Sequence, residues 1–189
     1  MLKKICVFCG SNSGHDDNYY RQIVELGKYI QQKDSCLVYG GGKLGMMGEL
    51  YQTVHKNGNQ VICIIPEVLK DEAIKPAENT DLILVKDMSE RKQKMVELAD
   101  VFVVLPGGIG TMEEFFQVYS WNQLGIAKQP IILVNIDGYY DKLIDFLKVT
   151  IDHGFVPKGN LDNLIVEPDV DKGLEKAEKY RYQKVNKWE

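Results

Sequence analysis

Arg91 and Glu114 flank a glycine-rich turn, Pro106-Gly107-Gly108-Ile109-Gly110-Thr111. A carboxylate can stabilise positive charge developing on carbon, and it can orient or deprotonate a water molecule. The planar fork of arginine suits a carboxylate, a phosphate or ribose hydroxyls. Glycine lacks a Cβ, so such a turn lets backbone amides close on a ligand, and a helix N-terminus behind it favours an anion. A second turn, Tyr39-Gly40-Gly41-Gly42-Lys43-Leu44-Gly45-Met46-Met47-Gly48, has the same build. Two such turns in one small chain predict a phosphate-bearing ligand held between strand ends.

Each motif also has a plainer structural reading. Thr111-Met112-Glu113-Glu114 is a T-x-x-E capping box, in which Glu114 would simply bond back to the Thr111 amide. The two readings separate by experiment: losing a cap costs about 0.5–2 kcal/mol of stability, whereas losing a catalytic carboxylate costs turnover. Met88-Ser89-Glu90-Arg91-Lys92 opens a helix with Ser89 as the expected N-cap. Arg91 and Lys92 would then sit in its first turn, against the dipole preference, where an anionic partner is the natural compensation. A solvated basic face is the alternative. The first glycine turn satisfies G-x-G-x-x-G by letter, but it follows the second strand and lacks the acidic residue of a dinucleotide site. Walker A fails because Leu44 follows Lys43. Close strand-to-helix packing competes there with phosphate or ribose contact. Cys6-Val7-Phe8-Cys9 spells C-x-x-C, yet it lies in a strand whose period of two points the sulfurs to opposite faces. Cys9, beside Gly10 and Ser11, is placed to line a pocket.

These residues need a scaffold. The 189 residues suffice for one domain, expected over 1–180 with a fraying tail over 181–189. Apolar runs predict strands at 4–8, 36–39, 60–64, 81–85, 101–104, 131–134 and 163–166. Helix-period segments lie at 18–33, 45–57, 89–99, 111–124, 139–153 and 170–180. Several strands are continuously apolar, as in Val101-Phe102-Val103-Val104, which implies burial on both faces. The alternation predicts an α/β fold, a Rossmann-like doubly wound parallel sheet with helices on both faces. Residues 66–79 form the longest irregular stretch, the kind that is often functional. The composition is 44% hydrophobic and 26% charged, and the net charge of −4 argues against a nucleic-acid partner. No apolar run nears the roughly 18 residues of a membrane span. The cytoplasm is the expected location, and neither metal nor cofactor is expected, because His15, His55 and His153 lack ligand spacing.

Met88-Ser89-Glu90-Arg91-Lys92 followed by P-G-G-x-G-T-x-x-E resembles the LOG family, cytokinin-activating phosphoribohydrolases long mislabelled lysine decarboxylases. Cys9-Gly10-Ser11, the Tyr39–Gly42 turn and Met47-Gly48 are similar to family elements too, and the likeness runs from about Lys3 to Val156. It implies a homodimer that hydrolyses the N-glycosidic bond of an N6-modified AMP, giving a free base and ribose 5-phosphate. By position, Arg91 and Glu114 become the catalytic pair. Lys92, Gly108, Gly110 and Thr111 become substrate contacts. Gly10, Ser11, Gly41, Gly42, Met88, Gly107, Ile109 and Glu113 join them as candidates, as does Glu72 in a loop of uncertain alignment. Asp87 and His15 are candidate proton donors to the leaving base.

Two other classes compete. A noncatalytic nucleotide-binding module would keep the loops without needing the Arg91–Glu114 pair. A pyridoxal-phosphate decarboxylase, the old label, would need a Schiff-base lysine, for which Lys43 and Lys92 are candidates only by nearness to glycine turns. The helix over 111–124 carries Phe115, Phe116, Val118, Tyr119, Trp121 and Leu124 around much of its circumference, more than one core stripe requires, which predicts a subunit interface.

Overall fold

The protein is described by a computed structural model over residues 2–186. Seven strands form one sheet, all neighbouring pairs parallel: β1 (Lys4–Phe8), β2 (Cys36–Tyr39), β3 (Val61–Pro66), β4 (Thr80–Val85), β5 (Val101–Val104), β6 (Ile131–Val134) and β7 (Leu164–Glu167). Their spatial order is β4-β3-β2-β1-β5-β6-β7. The helices are α1 (Asp17–Gln32), α2 (Gly45–Lys56), α3 (Met88–Leu98), α4 (Ile109–Gln123), α5 (Asp141–Asp152), the short α6 (Gly159–Asp162) and α7 (Val170–Lys179). The doubly wound parallel sheet expected from the sequence is the observed fold.

Strand period divides the core cleanly. Ile5, Val7 and Cys9 pack on one face with residues of α1, α2 and α7, such as Ile23, Leu50 and Leu174. Cys6 and Phe8 point to the other face, among Met95, Phe115 and Leu147 from α3, α4 and α5. The two sulfurs of the C-x-x-C sequence therefore serve different cores, and both cysteines are free.

The chain winds outward from β1 to β4 and then crosses back through α3 to place β5 beside β1. That reversal is the topological switch point, where strand-end loops diverge and leave a crevice. Here the loops after β1 and β5 abut. The Gly10 amide donates to the Pro106 carbonyl at 3.1 Å. A Cβ on Gly107 would stand 2.9 Å from the Gly10 nitrogen and 2.7 Å from Thr111 Cβ, so only glycine fits.

Several boundaries differ from expectation. The stretch after β3 is not wholly irregular: Glu67–Glu72 is a 3-10 helix. Its chain is tied to the first glycine turn by a Gly42–Ala73 bridge and by the Ile74 amide on the Gly41 carbonyl at 2.9 Å. A second 3-10 turn, Ile136–Gly138, precedes α5, and it contains Asp137 at φ 48°. Beyond α7, Tyr182 donates to the Asn122 carbonyl at 3.1 Å, and Gln183 exchanges hydrogen bonds with Asn163. The tail expectation for 187–189 lies outside the described residues. Among the described residues no helix is long and apolar enough to cross a membrane.

Candidate active site

A cleft of about 530 Å³ opens at the switch point. Cys9, Ser11 and Asn12 from the β1 loop and Gly40 and Gly42 from the β2 turn form one side. Gly108, Ile109, Gly110 and Thr111 from the start of α4 form another. Met47, Ile65, Pro66 and Leu69 supply an apolar wall, with Glu72 at its edge. Arg91 and Glu114 complete the lining.

Those two residues form a buried ion pair. Arg91 Nη1 lies 2.8 Å from Glu114 Oε1, and each side chain is only 10% exposed. Arg91 starts from α3, whose N-cap is Asp87, not Ser89: the Asp87 carboxylate accepts from the Ser89 and Glu90 amides, both at 2.9 Å. Aspartate and serine cap about equally well, and the carboxylate adds a negative charge that the helix start favours. Helix α3 thus begins at Met88, and Arg91 occupies its fourth position, turned inward. Its Nε donates to the Ile64 carbonyl at 3.1 Å. Its Nη2 lies so close over Gly40 that a Cβ there would collide with it.

The capping-box reading of Glu114 does not hold. Helix α4 starts at Ile109 behind Gly108, three residues earlier than the box requires, with no side-chain cap among the described residues. Glu114 is therefore in the second turn, and its carboxylate goes to Arg91. Ile109, Gly110 and Thr111 line the cleft, and helix geometry leaves their amides without intrahelical partners. Thr111 and Glu114 are one turn apart, about 5–6 Å between Cβ atoms.

Burial pushes the Glu114 carboxyl above its ordinary value, and the opposing attraction of Arg91 reduces that rise without cancelling it. Burial also raises the Cys6 thiol, with the Glu114 charge adding to it, and the Cys9 thiol for the same two reasons. Neither cysteine carries the character of a nucleophile.

The remaining candidates divide by position. Ser11, Gly42, Glu72, Gly108, Ile109, Gly110 and Thr111 line the cleft with the ion pair. Gly10 and Gly107 line a smaller adjoining pocket of about 220 Å³, with Tyr19 and Tyr139. Gly41, at φ 78°, turns toward Cys63 and Ile65 of β3. Lys92 pairs with Glu113 at the surface, and Met88 Sδ touches Arg91 Nη1. These last four stand outside the lining. His15 is exposed beside the β1 loop, and Asp87 is committed to its cap.

The family described as "Possible lysine decarboxylase" matches residues 47–177. The chain is 38% identical, along its whole length, to a rice protein (Oryza sativa subsp. japonica) named probable cytokinin riboside 5′-monophosphate phosphoribohydrolase LOGL2, of which it covers 79%. Over 95% of its length it is 40% identical to the cytokinin riboside 5′-monophosphate phosphoribohydrolase LOG5 of Arabidopsis thaliana, again covering 79% of that relative. The chain belongs to the LOG family. Solved structures share this LOG fold at lower identity. TM1055 aligns with a TM-score of 0.68 at 24% identity, covering 94% of this chain and 99% of that one. The Moco carrier protein of Chlamydomonas reinhardtii aligns at 0.66 and 20%, covering 95% and 97%.

Sequence reasoning missed several contributors to this candidate site. Gly40 was legible only as part of a turn, because its role is set by Arg91, far along the chain. Asn12 and Met47 reach the cleft from the β1 loop and α2, and the 65–69 wall from the end of β3 and the 3-10 helix after it. Tyr139 and Tyr140 carry no motif, and their contacts with the β5 loop come from the sheet order alone.

Proposed function

We propose that the protein hydrolyses the N-glycosidic bond of an adenosine 5′-monophosphate-type nucleotide, N6-substituted as in the cytokinin nucleotides named for its relatives. Water adds its oxygen to C1′ and its second proton ends on the departing base, so the products are a free base and ribose 5-phosphate. The observation that carries the reading is a buried, ion-paired carboxylate one helical turn behind an uncapped helix N-terminus.

The chemistry follows from that placement. The 5′-phosphate rests on the amides of Gly108 to Thr111, where the α4 dipole favours it. The ribose then reaches back along α4, bringing C1′ beside Glu114. As the glycosidic bond lengthens, positive charge grows on C1′ and the ring oxygen, and the carboxylate stabilises it in a site with little water to screen it. Glu114 also orients the attacking water. Arg91 holds Glu114 ionised against its burial and fixes its rotamer. The apolar wall of Met47, Ile65 and Leu69 is suited to a base and its substituent.

A decarboxylase reading finds no support in the lysines. Pyridoxal phosphate needs a Schiff-base lysine in the site. Lys43 Nζ donates to the Asp71 carbonyl at 2.9 Å, Lys92 is paired with Glu113, and neither lines the cleft.

The proposal extends to a cytoplasmic homodimer. Free cysteines suit a reducing compartment. Phe116, Leu124, Ile126, Phe146 and Val149, on α4, α5 and the segment between, are 40–63% exposed, apolar surface that a second copy would cover. Light scattering at micromolar concentration tests this, and a monomer refutes it.

The activity is tested by product chromatography on isopentenyl-AMP, AMP and isopentenyladenosine, with wild type and Glu114→Gln. Release of base from the monophosphates, absent or much slower from the riboside, is expected, and the variant should lose about 10²–10⁴-fold in rate. Binding without base release would make the protein a nucleotide-binding module. Equal turnover of riboside and monophosphate would refute the phosphate anchor.

A further inference from the structure

The β5 ladder ends at Val104, which pairs with Phe8 on one side and Leu133 on the other. The next three peptide groups have lost strand neighbours on the β6 side, yet their carbonyls still alternate as in a strand. The Leu105 carbonyl accepts from Tyr140 Oη at 2.7 Å. The Pro106 carbonyl turns the other way and accepts from the Gly10 amide at 3.1 Å. The Gly107 carbonyl turns back and accepts from Tyr139 Oη at 2.7 Å. Two phenols thus stand where a neighbouring strand would supply its amides.

The third of these bonds controls the anion loop. In a trans peptide the N–H points opposite to the C=O. Holding the Gly107 carbonyl on the Tyr139 side therefore aims the Gly108 amide at the β1 side, into the cleft that Gly108 lines. The peptide lies between two glycines, the residues that least resist its rotation. Rotated, it would present a carbonyl oxygen to an incoming phosphate. We infer that Tyr139 is a positioning residue that fixes the Gly107–Gly108 peptide with its amide toward the substrate phosphate; the inference rests on the function proposed above.

Tyr139 is itself held in place. It follows the 3-10 turn whose Asp137 carboxylate accepts from Asn18 Nδ2 at 2.6 Å, its ring meets Tyr19 edge-on, and the Tyr140 amide donates to Asn135 Oδ1 at 2.7 Å. Its ring is 46% exposed, so removing only the hydroxyl leaves the packing intact.

The experiment is calorimetric binding of ribose 5-phosphate, ribose, AMP and adenosine to wild type and Tyr139→Phe, both carrying Glu114→Gln in the AMP titrations so that the nucleotide is not hydrolysed, with melting temperature recorded alongside. The variant is expected to bind the two phosphate-bearing ligands about 3–10-fold more weakly, the worth of one hydrogen bond, with ribose and adenosine unchanged. In turnover, KM for the monophosphate rises while kcat holds, the pattern of lost uniform binding. A purely structural role would lower the melting temperature and leave the phosphate preference as it was. If wild type prefers the phosphate-bearing ligands and Tyr139→Phe keeps the full preference, the inference falls and the proposed function stands. If wild type itself shows no preference, both fall together.

Discussion

Gly40→Ala isolates the placement of Arg91 from everything else in the site. Gly40 is not among the glycines with positive φ, so alanine adds no backbone strain. Its Cβ, however, would collide with Arg91 Nη2 and lie 3.2 Å from Cζ. Ordinary contact between such atoms begins near about 3.5 Å, so the guanidinium must retreat by on the order of 1 Å. The atoms in the way are the tip of a flexible side chain, and the backbone need not move. What is lost is the 2.8 Å contact with Glu114 and the hydrogen bond to the Ile64 carbonyl. Leaving a buried charge unpaired costs about 3–5 kcal/mol, but Glu114 can escape most of that by taking up a proton. The fold should therefore survive with a modest drop in melting temperature. Turnover of an AMP-type substrate should fall about 10²-fold, the scale of a misplacement of this size. The remaining activity should need a higher pH than wild type. Wild-type kcat with an unmoved pH profile would show that Arg91 need not sit where it does.

The acid limb of the wild-type pH–kcat profile should lie above the ordinary glutamate value of about 4.3, because burial raises Glu114 and only its ionised form is reactive. The sign for stability is the reverse: a raised carboxyl favours the fold most below its ordinary value and loses that contribution as pH rises through the raised one. Chemical denaturation across that window, wild type against Glu114→Gln, checks this, and the variant should lack the dependence. Asp87→Ala should cost about 0.5–2 kcal/mol through the lost α3 cap, read from denaturation midpoints, while the folded fraction keeps near-normal turnover. A large loss of kcat in that variant would return Asp87 to the list of proton donors.

The sheet was legible in the sequence because its strands are short and β-branched and its central ones are buried on both faces, as in Val101-Phe102-Val103-Val104. Period-two reasoning sent Cys6 and Cys9 to opposite cores, as observed. The Arg91–Glu114 pairing was legible too, since the dipole argument asked for an anionic partner for Arg91 and Glu114 was among those weighed. The caps were less so. Ser89 and Thr111 are good capping types, but Asp87 caps α3 two residues before Ser89, and Gly108 lets α4 begin before Thr111. A local pattern does not show where a carboxylate will go once a buried guanidinium comes within reach. Gly40, Tyr139 and the wall from the β3 loop depend on which strand lies beside which, and that order is fixed by long-range packing.

The central claim is geometric, and the most direct measurement is a crystal structure of Glu114→Gln with an intact AMP-type nucleotide. The account predicts the 5′-phosphate on the amides of residues 108–111, with C1′ in contact with the side chain at 114 and the base against Met47 and Ile65. A phosphate bound away from the start of α4, or a C1′ more than one residue's length from position 114, would contradict it.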